Sequence, residues 1–167
     1  AALAKYLLGG SHWVEGKRVL DLGCGSGIVG IAAMKEGAAS GLAIDVNPQA
    51  LVAAALNAEA NDVRIETRCA DLLDGPPPEV DVVLAGDVFY SRALAVRMLP
   101  FLRRCAKAGK RVLIGDPGRA ALPAIDVRRI TTCAVQDFGD RRLVPAGVYR
   151  LRGYMPIDDA SDDPTLH

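Results

Sequence analysis

The chain carries four cysteines, Cys24, Cys69, Cys105 and Cys133, and no two of them form a CxxC pair. A disulfide framework or a zinc knuckle needs closer, patterned spacing, so reduced thiols in a cytosol-like compartment and no metal are expected. An excess of charge is also missing: Lys plus Arg and Asp plus Glu are each 20. Without a global basic field, net charge recruits neither nucleic acid nor an anionic membrane, and a protein or small-molecule partner is favoured. No apolar run approaches the roughly 20 residues that span a bilayer, and no charged start with an apolar core and cleavage site marks a secretory signal. A start methionine and a helix cap are lacking before the helical pattern AALAKYLL, which predicts that the N-terminal part of the domain is missing.

What is present is a chain of 167 residues, half of them hydrophobic, enough for one domain with a substantial core. The pattern predicts a single domain over residues 1–154. Residues 155–167 are acidic, with little apolar periodicity, and read as a surface-lying or frayed tail.

Short β-rich runs alternate with helical stretches. KRVLDLG (17–23), GLAIDV (41–46), VRIETRCA (63–70), VDVVLAG (80–86) and KRVLIGD (110–116) read as strands. Helical patterns follow the first, second and fourth, the second opening with an Asn cap and a proline at the first helical position. Alternation of this kind predicts an α/β fold with a doubly wound parallel sheet, right-handed crossovers and helices on both faces. TTCAVQDF and AGVYRLRG are separated by too few residues for a crossover helix, so they are expected to close the sheet as an antiparallel hairpin.

The segment DLGCGSG places Gly23, Gly25 and Gly27, with Cys24 and Ser26 between them, where the first strand turns into its helix. Glycine tolerates a strained turn and lets a ligand approach backbone amides, and the helix N-terminus behind it offers N–H donors. Alone, the loop fits many nucleotides; one frame, GSGIVG, even satisfies the dinucleotide pattern GxGxxG. Asp21 precedes the loop, Asp45 ends the second strand about 20 residues later, and Asp71 ends the third. Asp45 can accept from both ribose hydroxyls. Asp71, beside the apolar Leu72, can take an adenine amino group, and Asp21 can face a cationic amino-acid portion. Three acids suit S-adenosylmethionine, with its ammonium and sulfonium, better than an anionic pyrophosphate. Each aspartate could instead cap the helix after it. Cys24 reads as a loop residue offering its backbone, and Asn47 first as a helix cap and second as a ribose neighbour.

Together VLDLGCGSGIVGIAA, IDVNPQAL, LNAEAN and ADLLD resemble the successive motifs of class I, seven-strand S-adenosylmethionine-dependent methyltransferases. The resemblance implies a Rossmann-like sheet of seven strands, the seventh inserted antiparallel between the fifth and sixth. It also implies a cofactor site of Asp21, Gly23, Cys24, Gly25, Ser26, Gly27, Asp45, Val46, Asn47, Asp71, Leu72 and Gly86, with S-adenosylhomocysteine as product. Such enzymes place the acceptor at the end of the fourth strand, which here reads LAGDVFY. Asp87 to Tyr90 is an Asp-x-x-Tyr pattern similar to that of protein lysine methyltransferases with an acidic-x-x-aromatic motif. With LIGDPGR (113–119), GDVFY resembles the electron transfer flavoprotein β-subunit lysine methyltransferases and their bacterial relatives.

That likeness implies a protein-lysine N-methyltransferase whose protein substrate is the electron transfer flavoprotein β subunit, in a bacterial cytoplasm or, in a eukaryote, the mitochondrial matrix. Asp87 and Tyr90 become the expected catalytic residues, and Phe89, Asp116 and Arg119 the expected substrate contacts. As a bland alternative, Asp87 caps the helix beginning near Ser91, and Phe89 and Tyr90 pack under it. The competing functions are a methyltransferase of a ribosomal protein or small molecule, and a non-catalytic nucleotide-binding Rossmann module.

Overall fold

Successive residues of a strand point to opposite faces, and the first strand shows what that does here. In β1 (Arg18–Leu22), Leu20 and Leu22 face one apolar layer, while Val19 and Asp21 face the other. The computed structural model describes residues 1–10, 12–118, 122, 127–136 and 143–152. Around β1 it arranges α1 (Ala2–Leu7), α2 (Ile28–Lys35), β2 (Ser40–Asp45), α3 (Pro48–Ala60), β3 (Glu66–Cys69), β4 (Val82–Gly86), α4 (Arg92–Lys107), β5 (Arg111–Asp116), β6 (Val127–Gln136) and β7 (Leu143–Leu151).

The strands form one seven-stranded sheet in the order β3-β2-β1-β4-β5-β7-β6. The pairs β1–β2, β1–β4, β2–β3 and β4–β5 are parallel, and β7 is antiparallel to both β5 and β6. Both expectations for the sheet hold: the parallel doubly wound core, and the hairpin whose last strand lies inside the one before it. β3 is shorter than its pattern suggests. It is an edge strand of four residues, mostly exposed, with Arg68 paired to Glu66 on its surface.

Helices cover both faces. Leu3 and Leu7 of α1 and Val29, Ala32 and Ala33 of α2 pack with Val19, Val82, Leu84 and Leu113 on one side. Leu51 and Ala54 of α3 join that side over Ala43. On the other side Met98, Phe101, Leu102 and Cys105 of α4 pack on Leu20, Val83, Ala85 and Ile114. The loop between β3 and β4 contributes Leu73 and Val80 to the same layer, so it is anchored to the core. Among the described residues no helix is long and apolar enough to cross a membrane. The four cysteines are free thiols.

The C-terminal ends of β1, β2, β4 and β5 lie side by side, which is where an open parallel sheet presents a ligand crevice. Gly115 holds two parts of this end together. A Cβ built on it would sit 2.7 Å from Leu3 Cβ and 3.0 Å from the Leu3 backbone nitrogen, so α1 rests directly on this strand. Gly115→Ala should therefore lower stability by about 1–3 kcal/mol through overpacking. Urea unfolding followed by circular dichroism measures the change, and an unaltered midpoint would mean that α1 is not seated against β5.

Candidate functional site

The glycine loop is closed by hydrogen bonds from within. Gly23 and Cys24 donate their N–H groups to the Ile44 carbonyl at 2.9 and 3.0 Å, and Gly27 donates to the Cys24 carbonyl at 2.8 Å. Gly25 N–H donates to an Asp45 carboxylate oxygen at 2.9 Å. In the first turn of α2, Gly30 N–H donates to Asp21 at 2.8 Å. The N–H groups of Gly23, Cys24, Gly25, Gly27 and Gly30 are thus spent on protein acceptors, two of them carboxylates. Gly27 makes the turn possible: its φ is 78°, and a Cβ there would meet Ala54 Cβ at 2.9 Å.

Asp21 is corrected by this geometry. Its side chain is 1% exposed and lies beneath the loop, bonded to α2, so it braces the loop and does not face a ligand's cation. Burial pushes its carboxyl up to about 7; the Gly30 N–H works the other way and the Asp45 charge adds a smaller push upward. Burial likewise pushes the Cys24 thiol up to about 12, which keeps it protonated and not nucleophilic.

Asp45 stands at the end of β2 with one oxygen on Gly25 N–H and the other on Asn47 N–H, the latter at 2.9 Å. A carboxylate offers about four acceptor sites, so capacity for ligand hydroxyls remains. Asn47 caps α3 by accepting Gln49 N–H at 3.0 Å, its first expected role.

Beside the loop lies a cleft of about 220 Å³. Asp45, Asp71 and Asp87 supply carboxylates to its lining; Val46, Leu72 and Val88 are among its apolar walls, and Tyr90 stands at its edge. Val46 and Tyr90 are 67% and 64% exposed. Gly23 lines the cleft too, whereas Gly25, Ser26, Gly27 and Gly86 do not. Gly86 instead lets α2 approach β4: a Cβ on it would meet Val29 Cγ2 at 2.8 Å.

Asp87 leaves β4 with a φ of 59°, in the left-handed region where few residues other than glycine sit. Its N–H donates to the Gly115 carbonyl at 2.7 Å, which holds that turn in place. It is not the cap of α4. Ser91 is, its hydroxyl accepting Leu94 N–H at 3.2 Å. Asp87 is exposed and lines the cleft. A backbone held in a costly conformation at a ligand crevice is a mark of functional sites.

Two expected substrate contacts are corrected. Phe89 is fully buried in the layer under α4, where its ring packs with Phe101 and Leu102 and so cannot touch a substrate. Asp116 is 1% exposed and accepts Gly118 N–H at 2.8 Å, so it shapes the turn after β5 from inside. Arg119 lies outside the described residues.

Arg97 of α4, which the sequence did not single out, also lines the cleft. It donates to Asp71 at 2.9 Å and to Asp74 at 2.6 Å. Asp71, two residues past the end of β3, further accepts Leu73 N–H at 3.0 Å. These bonds, the backbone one first, hold its carboxyl below the ordinary range. The only signal was spacing: Arg97 and Arg104 are seven apart, hence on one face of a helix, but their partners lie more than 20 residues earlier in the chain.

The family model for ribosomal protein L11 methyltransferase (PrmA) matches residues 8–90. The electron transfer flavoprotein β subunit lysine methyltransferase of Danio rerio is 41% identical over 130 residues, which is 77% of this chain and 50% of that protein. The ribosomal protein L11 methyltransferase of Bordetella parapertussis is 42% identical over 114 residues, 65% of this chain and 36% of that protein. The chain thus spans about half the length, or less, of these relatives. Among solved structures, an RNA methyltransferase from Salinibacter ruber in complex with S-adenosyl-L-homocysteine matches with a TM-score of 0.61 at 22% identity, covering 93% of this chain and 94% of that one. The fold is that of class I methyltransferases.

The Asp21 carboxyl makes stability depend on pH. Its folded-state pKa, about 7, lies above its ordinary value of 3.8, so the stabilisation is complete at acid pH and is lost as pH rises through about 7. The shift corresponds to a loss on the order of 4 kcal/mol between pH 4 and 8. Asp21→Asn keeps an acceptor for Gly30 N–H and removes the titration, so its stability should fall less over that range. Urea unfolding at several pH values checks this; parallel curves for the two proteins would refute a buried, titrating Asp21.

Proposed function

We propose that this chain, a class I S-adenosylmethionine-dependent methyltransferase domain, transfers methyl groups to lysine side chains of a folded protein, the electron transfer flavoprotein β subunit first among candidates. One observation carries the choice of cofactor: the amides of Gly23, Cys24, Gly25 and Gly27 are occupied by Asp45 and by backbone carbonyls. A pyrophosphate would lose those donors and would meet the carboxylates of the cleft instead. A purine nucleoside bearing positive charge fits a cleft with apolar walls, three carboxylates and one arginine already shared between two acids. Asp45 would hold the ribose hydroxyls, Val46 and Leu72 would cover the base, and Asp71 would receive the adenine amino group. S-adenosylmethionine supplies, when bound, a methyl group on a positively charged sulfur.

The acceptor end is suited to an amine. Lysine has an ordinary pKa near 10.4, so only about one amine in a few thousand is neutral at pH 7, and an ammonium has no lone pair for attack. A nearby positive charge lowers that pKa. The exposed carboxylate of Asp87 at the cleft's edge can receive the incoming ammonium; once the proton has left for solvent, it can accept an amine N–H and turn the lone pair inward. Tyr90, largely exposed beside it, can wall the lysine stem or accept from its nitrogen. Holding nucleophile and methyl group in line is the main catalytic contribution, and positioning of this kind supplies about 7–11 kcal/mol.

A ribosomal-protein substrate is the second reading, favoured by the relatives of that name. Asp87 and Tyr90 form the Asp-x-x-Tyr pattern that resembles protein lysine methyltransferases, which speaks for lysine and the flavoprotein. Tritiated-methyl transfer to purified electron transfer flavoprotein β subunit and to ribosomal protein L11, side by side, decides between them; label in L11 alone would overturn the proposed substrate.

Cofactor binding is expected to depend on Asp45. A hydrogen bond to a charged group contributes roughly 1.5–3 kcal/mol, so Asp45→Ala should weaken S-adenosylhomocysteine binding by about 10-fold or more in calorimetry, while NAD should not bind the wild type. Unchanged affinity in the folded variant would reject the ribose assignment.

Asp87→Asn is the corresponding test of the acceptor end. Asn tolerates the left-handed backbone as Asp does, so the fold should survive, yet the charge that receives the ammonium is gone. S-adenosylhomocysteine affinity should change little while methyl transfer falls by about 10²-fold or more. Near-normal turnover on the cognate protein would reject the catalytic role.

A further inference from the structure

The helix that starts beside the acceptor residues also grips the loop on the far side of the cleft. Arg97 of α4 places one terminal nitrogen between the carboxylates of Asp71 and Asp74, at 2.9 and 2.6 Å. About two turns further along the same face, Arg104 donates to the carbonyls of Leu73 and Gly75 at 2.6 and 3.1 Å. The Arg104 guanidinium lies 5.6 Å from the ring centre of buried Phe101, which anchors it to the core. Residues 71–75 are therefore stapled to α4 by side chain and backbone alike, while Leu73 secures them from within.

The two arginines differ in what they hold. Arg104 binds carbonyls and sets the path of the chain. Arg97 binds the carboxylate that lines the cleft, and both oxygens of Asp71 are thereby fixed: Oδ1 by Leu73 N–H and Oδ2 by Arg97. Arg97 and Asp71 are 43% and 42% exposed, and Asp74 is 85% exposed. Ion pairs this open to water contribute little to stability. What the pairs do accomplish is orientation, since two directed bonds, one on each oxygen, fix the carboxylate and with it its remaining acceptor sites.

We propose that Arg97 is a positioning residue for base recognition: by locking the Asp71 carboxylate, it makes the cleft select a base that presents an amino group over one that presents an oxo group at the same place. This rests on the cofactor site described above. Adenine offers a donor where hypoxanthine offers an acceptor, and a fixed carboxylate rejects the acceptor. Freed from Arg97, the same carboxylate can turn to the ring N–H of hypoxanthine and tolerate it.

Calorimetry with S-adenosylhomocysteine and S-inosylhomocysteine on the wild type, Arg97→Gln and Arg97→Lys tests this, with thermal unfolding run in parallel. The wild type should prefer the adenosyl compound by about 10-fold or more, in line with a hydrogen bond that one ligand makes and the other loses. Arg97→Gln should unfold within a few degrees of the wild type, bind the adenosyl compound more weakly and lose most of the preference. Arg97→Lys, which keeps the charge but can face the two acids only as a point charge, should fall between. Equal weakening of both ligands with the preference intact would overturn the inference, because loosened packing alone does that. Unchanged binding of both would overturn it as well. A wild type that binds the adenosyl compound without preferring it would reject base selection through Asp71 while sparing the cofactor reading; a wild type that binds neither would reject both.

Discussion

Two carboxylates set behind a glycine loop constrain everything else at this end of the sheet. Asp21 takes the Gly30 N–H and Asp45 takes the Gly25 N–H, so the loop is shaped by acceptors that belong to the protein. Phosphate-binding loops work the opposite way, leaving their amides to the ligand. Because the acids come first, the cleft beside the loop is negative, and it suits a ligand that brings positive charge of its own. Desolvation of Asp21 is the cost of the arrangement, and it appears as a carboxyl that ionises only near neutral pH.

The acceptor end depends on contacts between layers. Asp87 adopts its left-handed backbone because the Gly115 carbonyl holds its N–H, and Gly115 in turn lies under Leu3 of α1. Strain at Asp87 is therefore balanced by the packing of a helix about 80 residues away in sequence but adjacent in space. On the other face, α4 begins at the Ser91 cap just after Tyr90 and runs past the loop of residues 71–75, which it grips through Arg97 and Arg104. The two halves of the cleft are thus tied to one another by α4 and to the sheet by its buried residues Phe101, Leu102 and Cys105.

Much of the fold was legible in the sequence because it follows from local rules. Alternation of short β-rich runs with helical stretches dictates a parallel sheet, and the brief connection before AGVYRLRG dictates an antiparallel hairpin. Asp45, Asp71 and Asp87 were visible for a related reason: strand ends can be read from pattern, and residues at the strand ends of such a sheet face the crevice. The same rule misplaced Phe89 and Asp116. Both stand near strand ends, but whether a side chain there turns inward or outward depends on the turn after the strand and on what α4 and β7 bring against it.

Sequence alone determined the order of the elements, the position of the glycine loop and the set of acids around it, since each depends on residue type and on neighbours within a few positions. Tertiary structure alone decided how those acids divide the work. Asp21 goes under the loop, Asp45 to both loop and cleft, Asp71 to Arg97, and Asp87 to the open edge. The physical reason is that a carboxylate's role is set by which donors reach it and how much water it keeps, and donors such as Gly30, Gly25 and Arg97 arrive only when separate strands and helices pack.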